Sequence, residues 1–306
     1  MTHPGTNLFD GPVGSIGDTQ TTPSYLGTAI GLLLAETPST AAIIHSGDMG
    51  YGTAAHWVEI LAALAGQADP AWITRLFASG YGNHDAEDAG ATLFPANMTG
   101  QQASILSWAR VGFNWTATVS GIRFICLDTE IAYSTTQRTW FQDELAIAAK
   151  WGLWPVVLSH YCIYSCSTLD TSAYGPTMLP FVQDAEDAGV PLWLCGHLHR
   201  YERTVPMALG VPAAGGVTYI TVASTAAAAN FDPAPTKTDS LDGAPNIVRT
   251  DNYDAALILA KQDPSIGSHF SMVNRLDATA STLTWRAYKI IAGPALELWD
   301  TVVFTR

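Results

Sequence analysis

The feature of this sequence that most constrains its fold is a series of short apolar stretches that each end in a polar side chain able to bind a metal ion. The residues at these ends are Asp18, Asp48, Asn83 with His84, His160, and His197 with His199. Each stretch has the length and composition of a buried strand. In a sheet of parallel strands, ligands bind just beyond the carboxyl ends of the strands. Because carboxylate, amide and imidazole groups are common ligands of transition metals, the pattern predicts a metal site at that edge.

The pair His197 and His199 indicates that the site holds two ions. On an extended segment, residues two apart point to the same side, with backbone positions roughly 6–7 Å apart. Two imidazoles at that spacing suit two metal ions about 3.5–4 Å apart better than a single ion. The sequence therefore predicts a two-metal centre.

The apolar patterns along the chain predict an α/β fold. Near the N-terminus the predicted strands are 13–17, 41–45 and 76–78, and the predicted helices between them are 25–34 and 56–64. This β-α-β-α-β order favours a parallel sheet. The next predicted strands are 114–119, 121–127, 156–159 and 192–196, and the next predicted helices are 137–150 and 177–188.

The C-terminal part of the chain divides into a polar segment and a strand-forming segment. Residues 226–268 are polar and rich in proline, which predicts a long loop that overhangs the site. Residues from about 268 to 306 alternate apolar and polar side chains, which predicts antiparallel strands that complete the fold. No internal repeat or interdomain linker is visible in the sequence, so we predict a single domain over residues 1–306.

The overall charge narrows the classes of binding partner. A formal charge of −13 and a sequence pI near 4.8 argue against a protein that binds nucleic acids or anionic membranes. No uninterrupted apolar run of about 18 residues occurs, so no membrane span is predicted. Only 13% of the residues are charged, a composition typical of secreted proteins. We therefore predict a secreted or extracytoplasmic protein, although residues 1–5 do not resemble the start of a signal peptide.

The cysteines do not settle the redox environment. Cys126 and Cys195 lie within predicted strands and suit core positions. Cys162 and Cys166 are close enough in the sequence to form a small disulfide loop, and are equally compatible with two reduced thiols.

Four segments of the chain resemble the motifs of the calcineurin-like metallophosphoesterases, and within that group they resemble the purple acid phosphatases. The segments are Gly47-Asp48-x-x-Tyr51, Gly82-Asn83-His84-Asp85, His160, and Gly196-His197-Leu198-His199-Arg200-Tyr201-Glu202-Arg203. The resemblance extends over nearly the whole chain and covers the catalytic domain only. It implies a metallophosphoesterase-like β-sandwich of two mixed sheets flanked by helices, with the metal site at the C-terminal ends of the strands.

One detail resembles the purple enzymes in particular. Most metallophosphoesterases begin with an Asp-x-His motif, whereas this chain has Asp18-Thr19-Gln20. In the purple enzymes a tyrosine three residues after the bridging aspartate supplies the replacement ligand, and Tyr51 occupies that position. A tyrosine, whose ordinary pKa is about 10, binds well only to a strongly acidic ion, which indicates Fe(III).

The resemblance implies a ligand set for each ion. Fe(III) would be bound by Asp18, Asp48, Tyr51 and His199. A divalent ion, Zn, Mn or Fe, would be bound by Asp48, Asn83, His160 and His197. Asp48 would bridge the two ions, and a metal-activated hydroxide would attack phosphorus.

The resemblance also implies roles for residues around the ions. His84 would donate a hydrogen bond to the phosphoryl oxygens as charge develops on them. Tyr174 occupies the place of a substrate-binding histidine in the small animal enzymes, and we expect it to bind substrate. Asp85, Tyr201 and Glu202 are expected to orient the ligands.

The function predicted from these observations is that of a hydrolase, an acid phosphatase acting on small phosphate monoesters. A phosphodiesterase or nucleotidase with the same two-metal centre is the alternative. A non-catalytic binding module on a degenerate scaffold is disfavoured, because every implied ligand position holds a competent residue.

Overall fold

The computed structural model of the chain describes residues 11–19, 23–36, 38, 40–50, 53–66, 77–87, 107–108, 113–130, 134–164, 175–199, 201–222, 247–250, 272–291 and 295–306. Within these residues the strands, in chain order, are β1 (Val13–Ile16), β2 (Ala42–His45), β3 (Phe77–Ser79), β4 (Ser107–Trp108), β5 (Trp115–Val119), β6 (Ile122–Leu127), β7 (Trp154–Ser159), β8 (Leu192–Cys195), β9 (Glu202–Thr204), β10 (Met207–Ala208), β11 (Val211–Pro212), β12 (Thr218–Thr221), β13 (Ile247–Thr250), β14 (Met272–Ala278), β15 (Thr282–Ile291) and β16 (Ala295–Thr305). The helices are α1 (Pro23–Ala35), α2 (Ala54–Ala65), α3 (Asn83–Ala86), α4 (Thr135–Lys150) and α5 (Gly175–Asp187).

Two mixed sheets form the body of the protein. The first has the strand order β16-β15-β14-β1-β2-β3, and the second has the order β13-β9-β12-β8-β7-β6-β5-β4. Strands β1, β2 and β3 are parallel, as are β6, β7, β8 and β12. The antiparallel strands are β14, β15 and β16 at one end of the first sheet, and β9 and β13 at one end and β4 and β5 at the other end of the second sheet. The parallel strands of each sheet therefore end at a common edge, and the candidate site lies there.

The core has three apolar layers, which explains why the parallel strands are apolar along their whole length. One layer lies between the two sheets and contains Trp115, Phe124 and Trp285. The helices α1 and α2 cover the outer face of the first sheet, and α4 and α5 cover the outer face of the second. Strands β6, β7 and β8 are buried at every residue because helices and the opposite sheet cover both of their faces.

The predicted α/β fold with two mixed sheets and flanking helices is confirmed. The predicted helices match α1, α2, α4 and α5 to within a few residues, and the predicted antiparallel strands after residue 268 are β14, β15 and β16. The prediction of a single domain stays a prediction. No helix among the described residues is long and apolar enough to cross a membrane.

Two features differ from the sequence-based expectation. The segment 226–268, predicted as a loop, contains β13, which pairs with β9 in the second sheet; the rest of that segment lies outside the described residues. Strands β9, β10 and β11 were not predicted, because each has only two or three residues and therefore no measurable alternation.

The sequence left open whether Cys162 forms a disulfide, and in the structure it is a reduced cysteine. Its thiol is free and buried, and donates a hydrogen bond to the carbonyl oxygen of Gly196 at 3.0 Å. Cys166 lies outside the described residues.

Candidate metal centre

Six of the residues proposed from the sequence as metal ligands meet at the edge that the two sheets share. Asp18, Asp48 and Asn83 follow strands of the first sheet, and His160, His197 and His199 follow strands of the second. Their ligand atoms form two groups, each within 4.8 Å: Asp48 with His160 and His197, and Asp18 with Asp48 and His199. Asp48 belongs to both groups. This division matches the two ligand sets implied by the sequence, while the assignment of each residue as a ligand stays a prediction.

The hydrogen bonds of His160 show that its second ring nitrogen faces other electron-pair donors. Its Nδ1 lies 3.0 Å from the carbonyl oxygen of Ser46, so that Nδ1–H donates to this oxygen. Its Nε2 lies 3.2 Å from Asp48 Oδ2 and 3.0 Å from Asn83 Oδ1. His197 Nδ1 lies 3.0 Å from the same Asn83 oxygen.

This arrangement fits a bound cation. In the neutral form of His160, Nε2 carries a lone pair, and a lone pair facing two oxygen acceptors is repelled by them. A metal ion among these atoms would turn the repulsion into coordination. A histidine that donates its other N–H to a backbone carbonyl is typical of metal ligands. The donor set of carboxylate, amide and imidazole groups suits a transition metal.

The backbone at the site is strained, because several predicted ligands have the positive φ angles that non-glycine residues rarely adopt. Non-glycine residues with positive φ are Asp18 (51°), Asp48 (57°), Ser120 (50°), His197 (72°), His199 (53°) and Leu209 (46°). Ser120 and Leu209 each precede a glycine at the turn between two short antiparallel strands. The other four are predicted metal ligands. A left-handed backbone at a non-glycine residue costs about 1–3 kcal/mol and is concentrated at functional sites.

Asp85 holds the loop after β2 in place. Its carboxylate accepts four backbone N–H groups: Asp48 at 2.8 Å, Met49 at 3.1 Å, Gly50 at 2.9 Å and Gly82 at 3.0 Å. These bonds fix the direction in which the Asp48 side chain leaves the loop. The expectation that Asp85 orients a ligand thus has a specific structural basis.

Two glycines allow the loops to approach one another. A Cβ atom on Gly82 would lie 2.3 Å from Asp48 Oδ1. A Cβ atom on Gly196 would lie 2.8 Å from Ser46 Oγ and 3.0 Å from Asp18 Oδ2. Any larger residue at either position would displace a predicted ligand.

The buried charges at the site call for a compensating cation. Burial raises the pKa of Asp18 to about 8, and the nearby Asp48 carboxylate adds to the increase. Burial also acts to raise the pKa of Asp48, but His160 outweighs it and lowers the value to about 2. For His160, burial lowers the pKa, but the charge of Asp48 dominates and raises it to about 10. Without metal, a proton on His160 supplies the positive charge that an ion would supply.

Two histidines of the site, His197 and His199, stay neutral. Burial lowers the pKa of His197 to about 3 and that of His199 to about 4, and His160 contributes to both shifts. Neutral imidazole is the form that binds a metal ion.

His84 lies at the mouth of the cluster. Its backbone N–H donates to Asp48 Oδ1 at 2.9 Å, and its ring Nε2 is 4.0 Å from Asp48 Oδ2. The side chain is 28% exposed, so that a substrate can reach it. The ring is thus near the predicted ions and outside the two groups of ligand atoms.

The remaining predicted site residues are Tyr201, Glu202, Tyr51 and Tyr174. The hydroxyl of Tyr201 donates to Asp300 Oδ2 at 3.0 Å, and its ring packs between the sheets, so its described contacts belong to the core rather than to a ligand. Glu202 is buried at the start of β9, and its predicted role stays a prediction. Tyr51 and Tyr174 lie outside the described residues.

Two polar groups near the site were not identified from the sequence. Gly47 N–H donates to His45 Nδ1 at 3.2 Å, which leaves His45 Nε2–H to donate to Thr19 Oγ1 at 3.0 Å. His45 thereby ties together the loops that follow β1 and β2. A histidine inside an otherwise apolar strand was the available signal.

The second group lies beside the histidines of the second sheet. The ring of Tyr161 lies 4.8 Å from that of His197, and its hydroxyl donates to the carboxylate of Glu130. Burial raises the pKa of Glu130. The position of Glu130, three residues after the end of β6, was the only sequence signal.

The two-sheet fold carries at its edge two adjacent Asp/His groups that could each hold a metal ion. The family model of calcineurin-like phosphoesterases matches residues 11–201. Because this match covers more than half of the chain, the protein belongs to the calcineurin-like phosphoesterase family.

Solved structures with the same fold include two that are described as phosphatases. A purple acid phosphatase from yellow lupin (Lupinus luteus) seeds aligns with 99% of this chain at a TM-score of 0.70 and 18% identity. A dimetal phosphatase from Danio rerio aligns with 98% of this chain and 99% of its own at a TM-score of 0.64 and 10% identity. PhoD aligns with 99% of this chain and 71% of its own at a TM-score of 0.66 and 12% identity.

These identities establish similarity of fold alone. The chain spans 55% of the length of the lupin enzyme. No curated protein matches this sequence significantly.

The contacts of Asp85 predict the effect of replacing Asp85 by asparagine. In either orientation the new NH₂ group faces two backbone donors, so we expect the unfolding free energy to fall by about 2–4 kcal/mol. Metal affinity should fall about 10–100-fold because the loop no longer orients Asp48. Urea unfolding and zinc titration against a chelator measure these changes.

The matched control is Asp128→Asn. Asp128 also accepts two backbone N–H groups, from Phe113 at 2.8 Å and Glu130 at 2.9 Å, but orients none of the predicted ligands. It should lose stability and keep its zinc affinity. Equal zinc affinity in Asp85→Asn and wild type would exclude the orienting role.

The pKa shifts predict how the stability of the metal-free protein varies with pH. The pKa of Asp18 is raised to about 8 and that of Asp85 to about 7. Each shift contributes stability that is fully present below pH 3.8, the ordinary pKa of an aspartate, and that is lost as the pH rises to the raised value. The raised pKa of His160, about 10, contributes below pH 6.5 and is lost above it. The histidines with lowered pKa act in the opposite direction, but in the unfolded chain they lose their protons around pH 6.5, so their contribution to the slope fades above that value.

Between pH 6.5 and about 8 the metal-free protein should therefore become less stable as the pH rises. Thermal unfolding after chelation measures this, with the zinc-loaded protein as the control, because the ion holds its ligands deprotonated. A midpoint that increases with pH over this range would show the direction to be wrong.

Proposed function

We propose that the protein is a metal-dependent acid phosphatase that hydrolyses small phosphate monoesters. The observation that carries the proposal is the pair of ligand groups that share Asp48, with the ring of His84 at their mouth. Two adjacent cation sites beside a hydrogen-bond donor suit the transfer of a phosphoryl group. Membership of the phosphoesterase family supports the reaction class.

Each ion would have its own group of ligands. One ion would be held by Asn83, His160 and His197, and the other by Asp18 and His199. Asp48 would be a ligand of both ions. When bound, the two ions supply the Lewis acidity that activates water and neutralises a phosphate group. His84 Nε2–H would donate to a phosphoryl oxygen, and this bond strengthens as negative charge grows on that oxygen.

We propose Fe(III) for the site of Asp18 and His199. The support is Tyr51, three residues after Asp48, together with Gln20 in place of the usual histidine. The other ion is proposed to be divalent Zn, Mn or Fe. Tyr174 is proposed to bind the substrate. As a phenol with an ordinary pKa of about 10, it is a poor proton donor in acid.

A phosphodiesterase or nucleotidase activity of the same site is the second candidate. Two carboxylates, those of Glu87 and Glu130, lie close to His84 and Tyr161 respectively. Negative charge near the mouth disfavours a doubly charged monoester relative to a singly charged diester. The ratio of the two activities therefore decides between the candidates.

The partner is proposed to be a small phosphorylated molecule rather than nucleic acid or a membrane. The net charge of −13 supports this proposal. A secreted location remains a proposal based on the low content of charged residues.

The function is tested by turnover of p-nitrophenyl phosphate and of bis-p-nitrophenyl phosphate by the metal-loaded protein between pH 5 and 8. Asp48→Ala and His197→Ala should lose metal and activity together. His84→Ala should keep both ions while kcat falls about 10²–10³-fold. Faster turnover of the diester would favour the second candidate, and loss of an ion from His84→Ala would remove its proposed role.

The Fe(III) proposal predicts a visible absorption band from charge transfer between Tyr51 and the ion. Tyr51→Phe should lose this band and keep the thermal midpoint of the wild type. Metal analysis and a visible spectrum of the purified protein are the measurements. A colourless, fully active wild type containing two divalent ions would exclude Fe(III).

A further inference from the structure

Among the described residues, strand β16 is the longest strand at an end of either sheet. It closes one end of the first sheet with eleven residues, whereas the strands at the other sheet ends, β3, β13 and β4, have three, four and two. Proteins usually protect a long edge strand with lysine, proline, a bulge or another charged side chain. In β16 the first half carries a bulge at Trp299 and the charge of Glu297, but the second half, Thr301–Thr305, has none of these features.

The hydrogen bonds between β15 and β16 show which backbone groups of β16 face outward. Arg306 N–H donates to the carbonyl oxygen of Ser281 at 3.1 Å, one residue beyond the facing pair Thr282 and Thr305. In an antiparallel ladder, this makes the facing pair one without mutual hydrogen bonds, and such pairs alternate with bonded pairs. Thr305 therefore turns its N–H and C=O groups away from β15, and so does every second residue before it.

The outward backbone groups of this half of β16 belong to Thr301, Val303 and Thr305. The N–H of Thr301 donates to Asp300 Oδ1 at 2.8 Å rather than to β15, which agrees with this direction. All three side chains are exposed, that of Val303 by 53%. The N–H groups of Val303 and Thr305, and the C=O groups of all three residues, are thus placed to bind a further strand.

We propose that this half of β16 is a self-association surface, on which a second copy of the chain pairs antiparallel about a two-fold axis through Val303. The two copies would join their first sheets into one continuous sheet. The proposal concerns the assembly of the protein and does not depend on the reaction at the metal centre.

A second copy is the occupant because the segment is complementary to itself. A two-fold axis through Val303 places Thr301 opposite Thr305 of the second copy, and it places Val302 opposite Phe304. Threonine pairs, and pairs of an aromatic with a β-branched residue, are favourable across antiparallel strands. Val302 and Phe304 pack against the layer between the sheets and are only partly buried, so a second strand would cover them further.

The charges near the axis also fit a second copy. The net charge of −13 opposes self-association over most of the surface, but Thr301–Thr305 carries no charged side chain. Just outside this segment, the same pairing places Asp300 opposite Arg306 of the second copy, two charges of opposite sign. Like charges, which destabilise a strand pair when they lie opposite one another, do not face each other between residues 300 and 306.

The first measurement is the mass of the full chain in solution as its concentration rises. A contact along half a strand buries little surface, so the complex should be weak. In sedimentation equilibrium the mass should rise from 32.6 kDa toward twice that value between about 10 µM and 1 mM.

Charged variants of Val303 test the two-fold axis. Val303→Lys and Val303→Glu each place like charges opposite one another, so each variant alone should stay a single chain over that range. An equimolar mixture of the two variants should associate again, because position 303 of one copy then faces the opposite charge. Thermal unfolding in dilute solution verifies that each variant is folded.

Leu298 provides matched controls. It is 54% exposed on the same strand and lies outside the paired residues. Leu298→Lys and Leu298→Glu change the net charge as the Val303 variants do, and they should associate like the wild type.

Hydrogen exchange, measured residue by residue by NMR, locates the contact without any substitution. Raising the protein concentration should slow the exchange of the outward N–H groups of Val303 and Thr305. The N–H of Phe304, which faces β15, should exchange at the same rate at both concentrations.

Four results would overturn the inference. One is a wild type that sediments as a single chain at every concentration, and another is an association that the Val303 and Leu298 variants weaken equally. The third is a mixture of the two Val303 variants that does not associate. The fourth is exchange at Val303 and Thr305 that does not change with concentration.

Discussion

The site depends on a single carboxylate that satisfies four backbone donors. The loop after β2 turns sharply at Asp48, where φ is 57°, and this turn directs the N–H groups of Asp48, Met49 and Gly50 away from any strand partner. Buried N–H groups need acceptors. Asp85 supplies them and also accepts the N–H of Gly82 from the loop after β3, which joins two of the loops that carry predicted ligands. The strained turn persists because these bonds compensate for it.

Much of the fold could be predicted from the sequence because the parallel strands are buried on both faces and are therefore apolar throughout. Strands β6, β7 and β8 are examples. Strand β9 could not be predicted in this way, since it is three residues long and begins with Glu202 and Arg203. Arg203 is neutralised by Asp300, with Nε 2.8 Å from Oδ2. That ion pair joins residues 97 positions apart, and no local pattern reveals it.

The sequence predicted which residue types form the site more successfully than it predicted which atoms each of them contacts. The carboxylate, amide and imidazole residues at the strand ends meet as the sequence suggested, because strands of one direction end at one edge. Proximity in the sequence was a poorer guide for Tyr201: it follows His199 by two residues, yet its hydroxyl contacts Asp300. Side chains on an extended segment alternate in direction, and only the packing of β16 determines which partner they meet.

The position of the ligand groups has a mechanical consequence for the whole sandwich. Each group contains residues that follow strands of both sheets. In one group Asp48 of the first sheet lies beside His160 and His197 of the second, and in the other group Asp18 lies beside His199. An ion bound at either position would be a cross-link between the sheets, closing loops of more than a hundred residues, much as a disulfide does in a smaller protein. Sliding of one sheet over the other would then require breaking coordination bonds, so metal loading would stabilise the closed sandwich against opening.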